Sequence, residues 1–154
     1  MVIGSFTVSV DNKGRIFVPS KWREDFSGTV VVMRGFTKDL NEHFLTVMPV
    51  AQYDKFMNDF ADIHFSDSRY NDAIRDVMMN MFESQVDGKG RISINSTLLR
   101  YAGISGSAVA VATRNNCFEL WEPECLAAKT SAYTLIDASK DLQKRANELE
   151  RMKK

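Results

Sequence analysis

Apolar and polar positions follow the same course twice along this chain. Thr29-Val30-Val31-Val32-Met33 is an apolar, mostly β-branched run, and Phe44–Pro49 is a second one that ends in proline. Ala108-Val109-Ala110-Val111-Ala112 and Phe118–Pro123 repeat the arrangement in the other half. Short runs of this kind are strand signals. Ahead of each pair stands a shorter β-like stretch, Arg15-Ile16-Phe17-Val18-Pro19-Ser20 or Arg91-Ile92-Ser93-Ile94-Asn95-Ser96. Each stretch leads into a segment of helical character, Lys21–Phe26 or Thr97–Ala102. Each half therefore reads strand, turn, strand, short helix, strand, loop, strand, helix.

The period changes between the halves. Tyr53, Phe56, Met57 and Phe60 are spaced i, i+3, i+4, i+7, and Ile74, Val77, Met78 and Met81 are spaced the same way. Both stripes predict amphipathic helices, with Ser66-Asp67 capping the later one. The tail, Asp137–Lys154, is rich in Lys, Arg, Glu, Asp, Ala and Leu. It reads as a solvated helix that frays over Arg151–Lys154. The predicted organisation is a first module over 5–51, a helical connection over 52–80, a second module over 81–124, and a helix and charged tail over 125–154.

The strongest local signal is the turn that opens each module. Val10-Asp11-Asn12-Lys13-Gly14-Arg15-Ile16 recurs as Val86-Asp87-Gly88-Lys89-Gly90-Arg91-Ile92, with only the Asn12/Gly88 position differing. A type I turn favours Asp at its first position and Gly at its fourth. Asp11 and Asp87 can accept bonds from backbone N–H groups a few residues on. Gly14 and Gly90 can take the positive φ of a bulge that keeps the hairpin twist. Asp and Gly are thus assigned to shape. Lys13, Lys89, Arg15 and Arg91 are not demanded by the turn. A guanidinium there can pair with a phosphate or with the O6/N7 edge of guanine. The alternative is an ion pair with the Asp four residues earlier, or a solvated charge.

Composition narrows the class. With 44% hydrophobic and 26% charged residues the chain is an ordinary globular sequence. Its formal net charge of +0 lacks the basic excess of most nucleic-acid-binding domains. DNA binding then requires local charge: Lys21, Arg23 and Arg100 lie near the turns, and acidic residues gather in 54–76 and in the tail. Cys117 and Cys125 fit neither a CxxC pair nor a zinc knuckle and read as reduced thiols, Cys117 buried in a strand. Trp22 and Trp121 read as packing residues, and the helix of Met78-Met79 as core or subunit contact. The first residues show no signal peptide, and no apolar run approaches a membrane span. The expected compartment is the cytoplasm. An enzyme would need Asp11 and Asp87 as paired carboxylates, but the turn already uses both. His43 and His64 lack metal-ligand spacing, and no P-loop, GxSxG or HExxH occurs. No enzyme, metal or cofactor is expected.

On these residues the chain resembles the MraZ family of bacterial regulators. The resemblance rests on Asp11-Asn12-Lys13-Gly14-Arg15-Ile16 with Val18-Pro19-Ser20, and on Asp87-Gly88-Lys89-Gly90-Arg91-Ile92. Leu98-Leu99-Arg100-Tyr101-Ala102-Gly103-Ile104, Phe118-Glu119-Leu120-Trp121 and the opening Ile3-Gly4-Ser5-Phe6 support it. It covers about residues 3–130. Asn95 stands where the family often carries proline, so the second strand is expected to end differently. Residues 35–43 look less regular than the family norm.

The resemblance implies an α+β fold of two tandem SpoVT/AbrB-like swapped-hairpin modules. These would form one pseudo-two-fold, β-barrel-like unit with peripheral helices. It implies a homo-oligomer, a ring, that binds repeated short boxes in double-stranded DNA. The target would be the promoter of the division and cell wall gene cluster, the protein's own, so the regulator would be autoregulatory and nucleoid-associated. Arg15 and Arg91 would read DNA, and Lys13, Lys89, Lys21 and Arg23 would fix position on the backbone. No small-molecule substrate is expected. The alternative is an antitoxin-like or other interaction module of the same fold, which usually has one module and a disordered tail.

Overall fold

In chain order the strands are β1 (Ser5–Ser9), β2 (Arg15–Phe17), β3 (Thr29–Arg34), β4 (Leu45–Pro49), β5 (Met81–Gln85), β6 (Arg91–Ser93), β7 (Ser107–Ala112) and β8 (Phe118–Trp121). The α-helices are α1 (Val50–Asn58), α2 (Asn71–Met79), α3 (Ser96–Tyr101), α4 (Pro123–Thr130) and α5 (Leu135–Met152). These come from a computed structural model that describes residues 1–130 and 134–153. The fold class is α+β, with antiparallel sheet throughout. The chain divides into two compact units, Met1–Pro123 and Glu124–Lys154.

In the first unit the six-stranded sheet has the order β1-β7-β8-β4-β3-β5, and β2 pairs with β6 in a separate ladder. Exchanging each strand of the first half with its counterpart in the second reproduces this order reversed. β1 of the first half pairs with β7 of the second, with Phe6 opposite Ala110. β5 of the second half pairs with β3 of the first, with Val32 opposite Phe82. Neither half completes its own sheet. The two meet centrally where β4 joins β8, with Leu45 opposite Leu120.

The main core of the unit draws on both halves, and a smaller cluster of Val31, Met33, Met48 and Cys117 is separate from it. Ile16, Val18, Trp22, Phe26, Val30 and Leu45 are buried together with Ile92, Ile94, Leu98, Phe118 and Leu120. Trp22 is 1% exposed. Its ring meets Phe6 edge-on at 5.2 Å and Phe118 at 5.3 Å, and its Nε1–H donates to the Ile3 carbonyl at 2.9 Å. Trp121 is also buried, stacked on Phe44 at 4.6 Å. Both tryptophans pack, as their sequence context suggests.

Several local expectations need correction. The short helix after β2 is only a 3-10 turn, Ser20–Trp22, whereas α3 is a true helix. Pro19 offers no side-chain cap, while the Asn95 side chain accepts from the Thr97 N–H at 2.8 Å. Asn95 does not alter the end of its strand, because β2 and β6 stop at equivalent residues, Phe17 and Ser93. Its effect is to start a helix. Ser66 and Asp67 cap nothing: the Ser66 hydroxyl lies 2.6 Å from His64 Nδ1, and Asp67 pairs with Arg69 at 3.0 Å. Phe60 lies beyond α1 and Met81 belongs to β5, so each apolar stripe outruns its helix. Cys117 is buried but precedes β8 by one residue, and burial pushes its thiol up to about 11.

In the second unit α5 carries no buried residue. The Thr134 hydroxyl accepts from the Asp137 N–H at 3.1 Å and caps the helix. Arg151 and Met152 remain helical, so the predicted fraying does not begin at Arg151; Lys154, like Ser131, Ala132 and Tyr133, lies outside the described residues.

Candidate nucleic-acid interface

The two copies of the turn fold alike. In the first, the Gly14 N–H donates to the Asp11 carbonyl and the Asp11 N–H to the Arg15 carbonyl, both at 3.0 Å. In the second, Gly90 donates to Asp87 at 3.0 Å and Asp87 to Arg91 at 2.9 Å. Gly14 and Gly90 sit at φ 75° and 81°, the left-handed region that the bulge needs. A Cβ on Gly14 would come 2.9 Å from the Ile94 carbonyl oxygen. That oxygen belongs to the opposite half, so the turn is also a seam. The Ile94 N–H donates to the Gly14 carbonyl at 2.8 Å, and reciprocally Val18 donates to Gly90 at 2.9 Å.

Each aspartate does more than shape the turn. Asp11 Oδ1 accepts from the backbone N–H of Lys13 and of Arg15, both at 2.9 Å, and Oδ2 accepts from Arg15 Nε at 2.8 Å. Asp87 does the same for Lys89 and Arg91 at the same distances. The ion pair that sequence left as the alternative is therefore present. It occupies only the Nε edge. Among the described residues the terminal Nη groups of Arg15 and Arg91 have no partner, and both side chains remain partly exposed, at 29% and 24%. A guanidinium anchored through Nε on a carboxylate keeps its paired Nη donors available and aimed, which suits bidentate recognition.

These bonds also set the acidity of the aspartates. The Arg91 backbone N–H leads in holding Asp87 down, to about 2, against the partial desolvation that raises it. The Arg91 side chain and the Lys89 N–H add to the lowering. Asp11 is lowered by the same causes, led by the Arg15 backbone N–H. Because the folded values lie below the unfolded reference of about 3.9, this stabilisation is fully present above pH ~4. It is lost as pH falls through the folded values, toward about 2 for Asp87. A carboxyl-detected NMR titration should find the Asp87 midpoint near 2. A midpoint at the ordinary aspartate value would mean that the turn bonds are not made.

The β2–β6 ladder places Arg15 opposite Ser93, Ile16 opposite Ile92, and Phe17 opposite Arg91. Side chains alternate across a strand. Ile16 and Ile92 point into the core, and Arg15, Phe17, Arg91 and Ser93 share the other face. Lys13 and Lys89 are exposed at the two turns, and neither has an ion-pair partner among the described residues. Lys21 is exposed on the 3-10 turn. Arg23 is not with the first turn, as its place in sequence suggested. Its Nε donates to the Val18 carbonyl at 3.0 Å, and a Cβ on Gly90 would lie 2.7 Å from that nitrogen. Its guanidinium packs beside Gly90 of the second turn. Sequence reasoning did not single out Phe17, although its place between buried Ile16 and Val18 marks it as outward-facing.

No group of three or more His, Cys, Asp or Glu that could hold a metal occurs among the described residues. Among the described residues no helix is long and apolar enough to cross a membrane.

The chain is similar to proteins of one family. A family model described as "MraZ protein, putative antitoxin-like" matches residues 1–75 and 77–145. A protein named transcriptional regulator MraZ from Saccharopolyspora erythraea is 33% identical over 128 residues, 80% of this chain and 82% of its own length. Proteins of the same name from Thermomicrobium roseum and Mycoplasma mobile are each 30% identical, over 84% and 86% of this chain and 87% and 86% of their own lengths. A solution structure from Pyrococcus horikoshii covers 78% of this chain and 88% of its own at 14% identity, with a TM-score of 0.34.

Proposed function

We infer, from the fact that this chain belongs to the MraZ family, that it is a transcriptional regulator that binds specific sites in double-stranded DNA. Its target is the promoter of the division and cell wall gene cluster, and the gene for this protein lies under its control. It acts in the cytoplasm, at the nucleoid. The fold is read as two tandem swapped-hairpin modules, 5–51 and 81–124, in one barrel-like unit. The segments 52–80 and 125–154 are the peripheral helices and tail.

The observation that carries this reading is the pair of Asp-Arg turns with the same hydrogen bonds, joined at one β2–β6 ladder. Two guanidiniums on one exposed ribbon, each with free Nη donors, match what base-edge or phosphate recognition requires. Arg15 and Arg91 are assigned to bases or phosphates, and Lys13, Lys89, Lys21 and Arg23 to backbone positioning. One chain of net charge +0 would bind weakly. Assembly into a ring over repeated short boxes supplies the missing affinity through effective concentration.

The test is a footprint of the protein on its own upstream region, against a fragment of the same length with shuffled sequence. Protection should be confined to short repeated boxes and survive moderate salt. Equal protection of both fragments would sink the specific reading.

A further inference from the structure

The two halves of the ribbon are not chemically equivalent. Beside Arg15 the ladder places Ser93, and beside Arg91 it places Phe17. The asymmetry continues behind the turns. Gly14 is backed by the Leu99 side chain, at 3.3 Å from a Cβ built there, and Gly90 by the Arg23 guanidinium. That guanidinium lies 5.7 Å from the Phe17 ring centroid while its Nε is fixed on the Val18 carbonyl. The Phe17 ring is thus contacted from one side by a tethered cation. It is still 49% exposed.

A single exposed phenylalanine is ordinary on a protein surface. This one stands on the face that carries the Arg15 and Arg91 guanidiniums with their open Nη groups, opposite Arg91 and within a short three-residue strand. Its chemistry there is specific. It adds no charge and no hydrogen bond, so it does nothing for phosphates. The apolar feature that a major groove offers is the C5-methyl of thymine. We propose that Phe17 contacts DNA and reads a thymine methyl next to the group held by Arg91, while the Ser93 side of the ribbon has no such preference. This rests on the DNA-binding reading above.

The experiment uses the full chain, as wild type, Phe17→Ser (which copies the Ser93 side) and Phe17→Leu. Each is titrated against a duplex bearing the footprinted box and against copies in which one thymine at a time becomes deoxyuridine, removing only the methyl. Wild type should lose about five- to tenfold at one thymine position, in the range of a single base-pair change. Phe17→Ser should bind the intact duplex weaker by about the same factor and lose nothing more at that deoxyuridine. Phe17→Leu should keep most of the preference. The slope of log affinity against log salt should be the same for all three, since no cation is removed. A Phe17→Ser protein that binds like wild type, or that still responds to the deoxyuridine, overturns the proposal and leaves the DNA-binding reading standing. The same holds for a Phe17→Leu protein without the preference. A wild type that binds box and shuffled duplexes equally overturns both.

Discussion

Alanine at both Arg15 and Arg91 is expected to abolish site-specific DNA binding and leave the fold intact. Each guanidinium that engages a base edge is worth about 1–3 kcal/mol of discrimination. Removing two per chain therefore costs about 2–6 kcal/mol, roughly 30-fold to 10⁴-fold in affinity, before any multiplication across a ring. The folded state loses little. The Arg–Asp pairs are partly exposed, and solvent screening leaves such pairs little net stability. Both aspartates keep their bonds from the Lys and Arg backbone N–H groups, which alanine does not remove. Fluorescence anisotropy on the box-bearing duplex, with circular dichroism and oligomer mass as controls, reads the outcome. The single variants separate the two turns. A double variant that binds like wild type at moderate salt would mean that these arginines serve only the hairpins.

The largest effect on stability is expected at Trp22. Trp22→Ala removes a ring packed against Phe6 and Phe118 and leaves the Ile3 carbonyl without its indole donor. Truncations of this kind cost about 3–5 kcal/mol, a large share of the roughly 5–15 kcal/mol by which domains are stable. With a urea slope of about 2 kcal/mol per molar, the unfolding midpoint should fall by about 1.5–2.5 M at fixed protein concentration. A shift under about 0.5 M would mean that the cavity collapses, or that this cluster does not hold the two halves together.

What sequence makes legible here follows the range of the interactions involved. The turns are local. Asp at the first position and Gly at the fourth fix their geometry within five residues, so the doubled motif identifies both hairpins and the cations on them. Strand identity is also local, and the apolar runs mark β3, β4, β7 and β8. Partner choice is not. Nothing in the alternation around Phe6 states that its neighbour will be Ala110 rather than a residue of its own half. Arg23 is misplaced for the same reason, since its contact with the second turn exists only after the halves interlock. Helix ends fail differently. Periodicity carries no stop signal, so Met81 reads as the next turn of α2 although it pairs with Met33 in the sheet. Arg15 shows a subtler limit. Ion pair and DNA contact stood as alternatives in the sequence, and the structure makes the first on Nε only, with no partner on Nη among the described residues.

The exchange of strands between halves bears on how the protein is made. The partner of β1, β7, is not synthesised until about a hundred residues after it, which takes roughly 5–20 s at cellular elongation rates. Through that interval Ser5–Ser9 lacks the partner it has in the finished sheet, whereas Thr29–Arg34 can pair with β4 early and lacks only β5 until Met81–Gln85 is made. The sheet is therefore completed only after the second half is made, and its pairings distant in sequence, β1 with β7 and β3 with β5, should slow folding. The nascent first half passes through a window in which unpaired strand edges can meet those of neighbouring chains on the same message.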